Sequence, residues 1–387
     1  METAALLREL AEARGPAGYE GSVSSIVRAR FGAATPDVRT DALGNCIARL
    51  PASPIPMGTA SSAGGAAPAA GAPSPAAAAT VGPAGPRPSI MLAAHMDEIA
   101  LMVTQIEKGF IRFTQVGGFD PRVLFGQEVV VHARRELPGL VVSVPPHFTD
   151  AAEREKPVPL EKLFIDTGLP PAEVESVVRV GDLVTLRGRW AELAGGYAAS
   201  KSLDDRAGVA AVVLCLQEVA RRSRAWDVFA VATVQEEIGI RGAITSAFGV
   251  APDAAIALDV TFGSQPGLGP QESVKMDGGP SLCVGPNFHP RLFDRLVEAA
   301  RAIECPHQVE AIPGASGTDA WGIQVSRAGV PCALLGIPVR YMHTPVETIC
   351  LRDLERTARL LAETICRLPP DFSDTLETRD ALAGKGR

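Results

Sequence analysis

From residue 200 onward the chain alternates segments of two periods, and this alternation limits the fold more than any other feature. The runs "DVFAVATVQ", "AAIALDV" and "PCALLGI" are short and apolar, as buried strands are. Between and around them, "AGVAAVVLCLQEVARRS", residues 241–249, "RLFDRLVEAARAI", "TDAWGIQVSRAG" and residues 351–367 read as helices. Strands separated by helices imply an α/β layer fold with a mostly parallel sheet sandwiched by helices. Helices near 3–14 and 20–31, the strand–turn pair "VRTDALGNCIARL" and the buried run "SIMLAA" fit the same layer. From about 99 to 188 the pattern changes to short β-like runs ("ALMVTQI", "FIRFTQV", "EVVVHA", "GLVVSV", "DLVTLRG") punctuated by Gly and Pro. The predicted organisation is an α/β domain made of residues 1–50, 89–105 and 195–370, with a small all-β, barrel-like domain at 106–194 inserted into it. Residues 51–88 are Ala-, Pro-, Gly- and Ser-rich, with no charge before Arg87, and cannot bury enough apolar surface to offset ordering. They are expected to form a flexible surface insertion, and residues 371–387 a flexible tail.

With 387 residues, 46% of them hydrophobic, the chain can build a large core. Its formal net charge of -7 argues against a nucleic-acid or anionic-membrane surface as its main business, but is compatible with cations. The opening "METAALLRELAEARG" is an amphipathic helix pattern rather than a signal peptide, and no apolar run is long enough to cross a bilayer. Seven scattered cysteines without a Cys-x-x-Cys pair read as reduced thiols, so a cytoplasmic location is expected.

Four polar clusters fall at strand ends: His95-Met96-Asp97-Glu98 after "SIMLAA", Glu236-Glu237 after "VFAVATVQ", Asp259 ending "AAIALD", and His343 shortly after "CALLGIPVRYM". In open α/β sheets, sites form in the crevice outside the carboxyl ends of the strands, so these residues can meet. A fifth cluster, Asp204-Asp205 in "KSLDDRAG", precedes an apolar helix. Singly, each has an ordinary explanation. The Asp pair serves equally as a helix cap, the Glu pair as a solvated loop face, and His343 as a structural histidine. His95-x-Asp97 is more specific, because a ligating imidazole commonly gives its other N–H to a carboxylate. Together, two histidines and several carboxylates without cysteine form a ligand set suited to Zn²⁺, Co²⁺ or Mn²⁺. Two such ions need one bridging carboxylate, and a further group must move the proton. A glutamate pair at a strand end can supply both, one member binding metal and the other acting as general base.

The segments "AAHMDEIALMV", "KSLDDRAG", "VQEEIGIRGA", "ALDV" and "GASGTDAWGIQVSRAGVPCALLGIPVRYMHTPVE" resemble, in order, the signatures of the glutamyl-aminopeptidase-like, or tetrahedral (TET), aminopeptidases of metallopeptidase family forty-two, clan MH. The resemblance extends to "PAGYE", "GGFDPRVLFGQEVVV" and "LFIDTG". It implies two divalent metal ions per subunit, with Asp204 bridging them. His95 and Asp259 would complete one ion and Glu237 and His343 the other. By the same resemblance Glu236 is the general base and Asp97 the partner of His95, while Asp205 matches a motif position without a role. The implied partners are short peptides and further copies of the chain, as dimers and dodecamers, the inserted domain serving assembly. The Ala/Pro-rich stretch departs from the family, which has a short connection there.

Two other readings compete. An endoglucanase-type glycoside hydrolase would use a carboxylate pair, but it needs neither histidine, and 5% aromatic residues supply few sugar platforms. In clan-related carboxypeptidases and deacylases the equivalent His and Asp lie close in sequence, whereas 109 positions separate His95 from Asp204. Arg340 beside the cluster can attract an acidic substrate residue or anchor a loop.

Overall fold

The computed structural model describes residues 2–53, 87–150 and 155–376. In chain order its strands are β1 (Val38–Thr40), β2 (Cys46–Leu50), β3 (Ser89–His95), β4 (Ala100–Glu107), β5 (Phe110–Val116), β6 (Glu128–His132), β7 (Glu136–Val142), β8 (Phe164–Asp166) and β9 (Leu183–Leu186). They continue with β10 (Ala191–Leu193), β11 (Tyr197–Ser200), β12 (Asp227–Thr233), β13 (Ala254–Phe262), β14 (Ser281–Val284), β15 (Gln308–Ala311), β16 (Cys332–Arg340) and β17 (Glu347–Cys350). Eleven of them form one sheet, in the order β1-β2-β12-β3-β13-β16-β17-β11-β10 with β14 and β15 branching from β16.

The sheet is less parallel than expected. Its centre, β12-β3-β13-β16, is a parallel block, the strands on either side of that block pair antiparallel, and on the branch β14 pairs antiparallel with β16 and parallel with β15. The antiparallel flanks come from short elements that need no crossover helix, such as β1 and β2, joined by a tight turn in which Asp41 Oδ1 accepts the N–H groups of Leu43, Gly44 and Asn45. Strands β10, β11, β14, β15 and β17 are too short to give a periodic signal, and the sequence reading did not contain them.

Alternate residues of the central strands feed two cores, as the two-residue period requires. Ile90, Leu92 and Ala94 of β3 with Ile256 and Leu258 of β13 pack into one. Its other wall comes from helices Glu2–Glu12, Gly21–Gly32, Leu203–Val219, Pro290–Ala302 and Leu351–Arg367. Met91 and Ala93, with Ala255 and Ala257, face helices Arg241–Val250 and Asp319–Gln324.

Strands β4-β5-β8-β7-β6-β9 close into a separate barrel around its own apolar cluster. The barrel runs from Ala100 to Leu186, not from 106 to 194: β4 pairs with β5 and β9, while β10 returns to the large sheet beside β11. The alternating run "ALMVTQI" reads the same whether its neighbour is one sheet or the other, so the sequence pattern does not place this boundary.

Where the chain leaves for the barrel and returns from it, a buried cluster joins the two crossings. Glu98 accepts from the Lys201 ammonium, from Ser202 Oγ at 2.6 Å and from the Gly15 N–H at 2.8 Å, with Arg206 3.9 Å away. Burial opposes charge on Glu98, yet the charges of Lys201 and Arg206 hold its pKa below the ordinary carboxylate value.

The start of the expected tail is part of the fold. Phe372 is buried against Trp226, ring centroids 6.2 Å apart, and the Trp226 Nε1–H donates to Pro369 O at 2.9 Å. A single aromatic in "DFSDTL" is too sparse a signal for packing. Of the Ala/Pro-rich segment, residues 54–86 lie outside the described residues; its flanks meet where Arg87 donates to Ala52 O at 2.9 Å. No helix among the described residues is long and apolar enough to cross a membrane.

Candidate active site

His95 closes β3 and lies in register with Thr233 at the end of β12. Beyond Thr233 the strand breaks: Gln235 takes φ 57° and donates its N–H to Glu20 Oε1 at 3.2 Å. The next two N–H groups, of Glu236 and Glu237, donate to Asp97 Oδ1 and Oδ2 at 3.0 and 3.1 Å. Strand alternation therefore no longer applies to the paired glutamates, and both side chains line one cleft. Asp97 is fully buried, so one carboxylate holds the glutamate turn and also lies 3.5 Å from His95 Nδ1.

Asp204 and Asp205 differ in their contacts. Both have non-helical backbone angles at the start of helix Leu203–Val219, after Ser202 at φ 57°. Asp205 accepts the Gly208 N–H at 2.8 Å, as a helix cap does. Asp204 instead faces the cleft. Its Oδ1 is 3.0 Å from His95 Nε2 and its Oδ2 is 3.2 Å from His343 Nε2. Asp259 Oδ1 lies 3.9 Å from His95, and Glu237 Oε1 lies 3.5 Å from His343. The structure thus brings together all seven residues that the sequence singled out. Arg340 resolves as a loop anchor, donating Nε–H to Ser264 O at 2.7 Å and standing over the Tyr197 ring.

Sequence reasoning missed Glu347. Its Oε2 accepts the N–H of Asp204 at 3.0 Å and its Oε1 that of His343 at 2.8 Å, so it holds the backbones of both cleft residues as Asp97 holds those of the glutamates. The glutamate ends the segment "HTPVE", and no pattern of letters shows which backbone N–H groups turn inward. Glu347→Gln would set an amide NH₂ against one of these donors. It is expected to destabilise the fold by about 1–3 kcal/mol, a loss of several degrees in Tm. Unchanged thermal unfolding would show that the two contacts carry no weight.

The cleft holds about 450 Å³ and its lining contains no Lys or Arg. Burial pushes the pKa of Glu236 up to about 8, with Asp319, Glu237 and Asp204 adding to the rise, and burial with Asp204 does the same for Glu237. Burial also opposes charge on Asp204, but the hydrogen-bonded His343 and His95 outweigh it and keep this carboxyl well below its ordinary value. Ligand atoms of His95, Asp204 and Glu237 lie within 4.8 Å of one another, as do those of His95, Asp205 and Asp259. Clustered carboxylates and imidazoles without a cationic side chain fit divalent cations.

Comparison with known proteins agrees with this chemistry. The M42 glutamyl aminopeptidase profile matches residues 77–360. A lysyl aminopeptidase of Pyrococcus furiosus is 36% identical over 295 residues, 75% of this chain and 85% of that one. Among solved structures, aminopeptidase APDkam598 from the archaeon Desulfurococcus kamchatkensis is 32% identical with a TM-score of 0.84, covering 97% of this chain and 98% of the other. The dodecamer PhTET1-12s is 27% identical with a TM-score of 0.77, covering 95% and 100%. This chain belongs to the M42 glutamyl aminopeptidase family and is a peptide-bond hydrolase.

Proposed function

We propose that the protein is a di-metal aminopeptidase that removes the N-terminal residue from short peptides. The observation that carries this reading is the partition of contacts about Asp204. One oxygen faces His95, which has Asp259 beside it, and the other faces His343, which has Glu237 beside it. That is the arrangement in which one carboxylate spans two ions. Asp204 would bridge, His95 and Asp259 would hold one ion, and Glu237 and His343 the other, with Zn²⁺ or Co²⁺ and also Mn²⁺ suiting the donors. When bound, such a pair lowers the pKa of a water and polarises the scissile carbonyl.

The chain's own residues do the rest. Glu236 lines the cleft and its carboxylate makes no hydrogen bond among the described residues, which leaves it available to take the proton of the attacking water and pass it to the leaving amine. Asp97 fixes the His95 ring and the turn bearing Glu236 and Glu237. The free α-amine of the substrate is directed to the His95–Asp259 side of Asp204. A glycosidase would leave both histidines without a task, which is why that reading has less support. The family relationship also supports a homo-oligomer, in keeping with the dodecamer among its structural neighbours, and the unpaired cysteines support a cytoplasmic setting.

The test compares a short peptide with and without an N-acetyl group, and carboxymethyl-cellulose, before and after chelation. Cleavage of the free peptide alone, abolished by the chelator, is expected. Interior cleavage of the acetylated peptide, or metal-independent sugar release, would refute the proposal.

A further inference from the structure

We propose that Glu310 is the specificity-determining carboxylate of this cleft and selects substrates whose N-terminal residue is Lys or Arg. The inference rests on the aminopeptidase reading above and names its substrate class.

Glu310 lies on β15, outside the set of residues assigned to metal or proton transfer, yet it lines the same cleft as His95, Glu236 and Asp259. The sheet register places it on their side. Asp259 of β13 is opposite Gly336 of β16, and Gly336 is opposite Ser281 of β14. Two residues along β14 on the same face, Cys283 is opposite Glu310. Gly336 keeps this floor open, because a Cβ there would come within 2.9 Å of Thr261 and 3.3 Å of Ser281.

Those two neighbours fix the Glu310 carboxylate. Thr261 Oγ1 lies 3.0 Å from both of its oxygens, and Ser281 Oγ donates to Oε2 at 2.7 Å. Two hydroxyl protons cannot saturate a carboxylate with about four lone-pair sites. Neither hydroxyl neutralises its charge, and no Lys or Arg lines the cleft to do so. Arg340, two residues before the lining Met342, is committed to Ser264 O. An oriented anion is therefore left facing the substrate space.

Its distance suits a long cation. Thr261 follows Asp259 by two residues on one strand face, which is about 6.6 Å at the usual strand rise. A substrate whose α-amine sits beside Asp259 would carry its side chain along that strand toward Glu310. Phe262, Ile312 and Cys283 in the lining supply apolar contact for the methylene stem. Lys and Arg combine such a stem with a terminal donor, whereas an acidic side chain would meet like charge.

The experiment measures kcat/KM for Lys-, Arg-, Leu- and Glu-aminoacyl substrates with the metal-loaded protein and with Glu310→Gln and Glu310→Lys. The unchanged protein is expected to favour Lys and Arg over Leu by about 10- to 100-fold, mainly through KM, and to reject Glu. Glu310→Gln should remove that preference, and Glu310→Lys should turn it toward Glu. A second measurement needs no variant: lysine amide should inhibit about tenfold more tightly than norleucine amide, the same stem without the charge. Equal inhibition by the two amides, or a Lys-to-Leu ratio that Glu310→Gln leaves unchanged, overturns the proposal while peptide hydrolysis stands. Hydrolysis of none of the substrates removes the aminopeptidase reading, and this proposal with it.

Discussion

Glu236→Gln is expected to bind divalent metal as the unchanged protein does while losing about 10²- to 10⁴-fold in kcat. The amide keeps the size of the side chain and the Asp97 clasp on the backbone N–H, but it cannot accept the proton of the attacking water. Glu237→Gln is expected to behave differently. Glu237 stands 3.5 Å from His343, so its loss should weaken the ion on that side, and added metal should restore part of the turnover. Metal stoichiometry measured by elemental analysis beside kcat separates the two variants. Equal metal loss in both would show that the division of labour is wrong.

Asp204→Ala is the second variant with a large expected effect. Both imidazoles converge on this one carboxylate, so its removal should lower the affinity of both ions together, by more than the about 10- to 100-fold that follows loss of a supporting residue. Turnover should fall to the level of the chelated protein. Asp205→Ala is the contrast: it removes the acceptor of the Gly208 N–H, worth about 1 kcal/mol, and should lower metal affinity far less than Asp204→Ala does. Retention of one full-affinity ion by Asp204→Ala would show that the carboxylate does not bridge.

The sequence was most legible where a strand long enough to show its period ends in a polar residue. β3, β12, β13 and β16 announce themselves by buried runs, and His95, Glu236, Glu237 and His343 lie at or just beyond their ends, whereas Asp259, expected to end its strand, lies inside β13, which continues to Phe262. Asp204 was legible as a member of the set, but its letters alone could not distinguish it from Asp205, because the distinction lies in a few backbone angles. Glu347 acts only through main-chain N–H groups and so leaves no trace in side-chain spacing. Glu310 sits on a four-residue strand of intermediate burial, and neither its strand nor its neighbours Thr261 and Ser281 form a local pattern. The barrel boundary and the packed Phe372 were hidden for the complementary reason: the local signal was present but did not name its partner.

The cluster joining the two crossings into the barrel bears on how such a protein can vary. His95 and Asp97 stand immediately before the outgoing crossing, and Asp204 soon after the return. Glu98, Lys201 and Ser202 close the base of the loop that the barrel forms, and breaking a buried pair of this kind costs about 3–5 kcal/mol. The barrel is thus clamped at its base, and lengthened turns away from Gly117 and Gly118, which stand against Glu237 and His343, would leave the cleft undisturbed. Chemistry and the outer surface of the barrel can drift at separate rates within one chain.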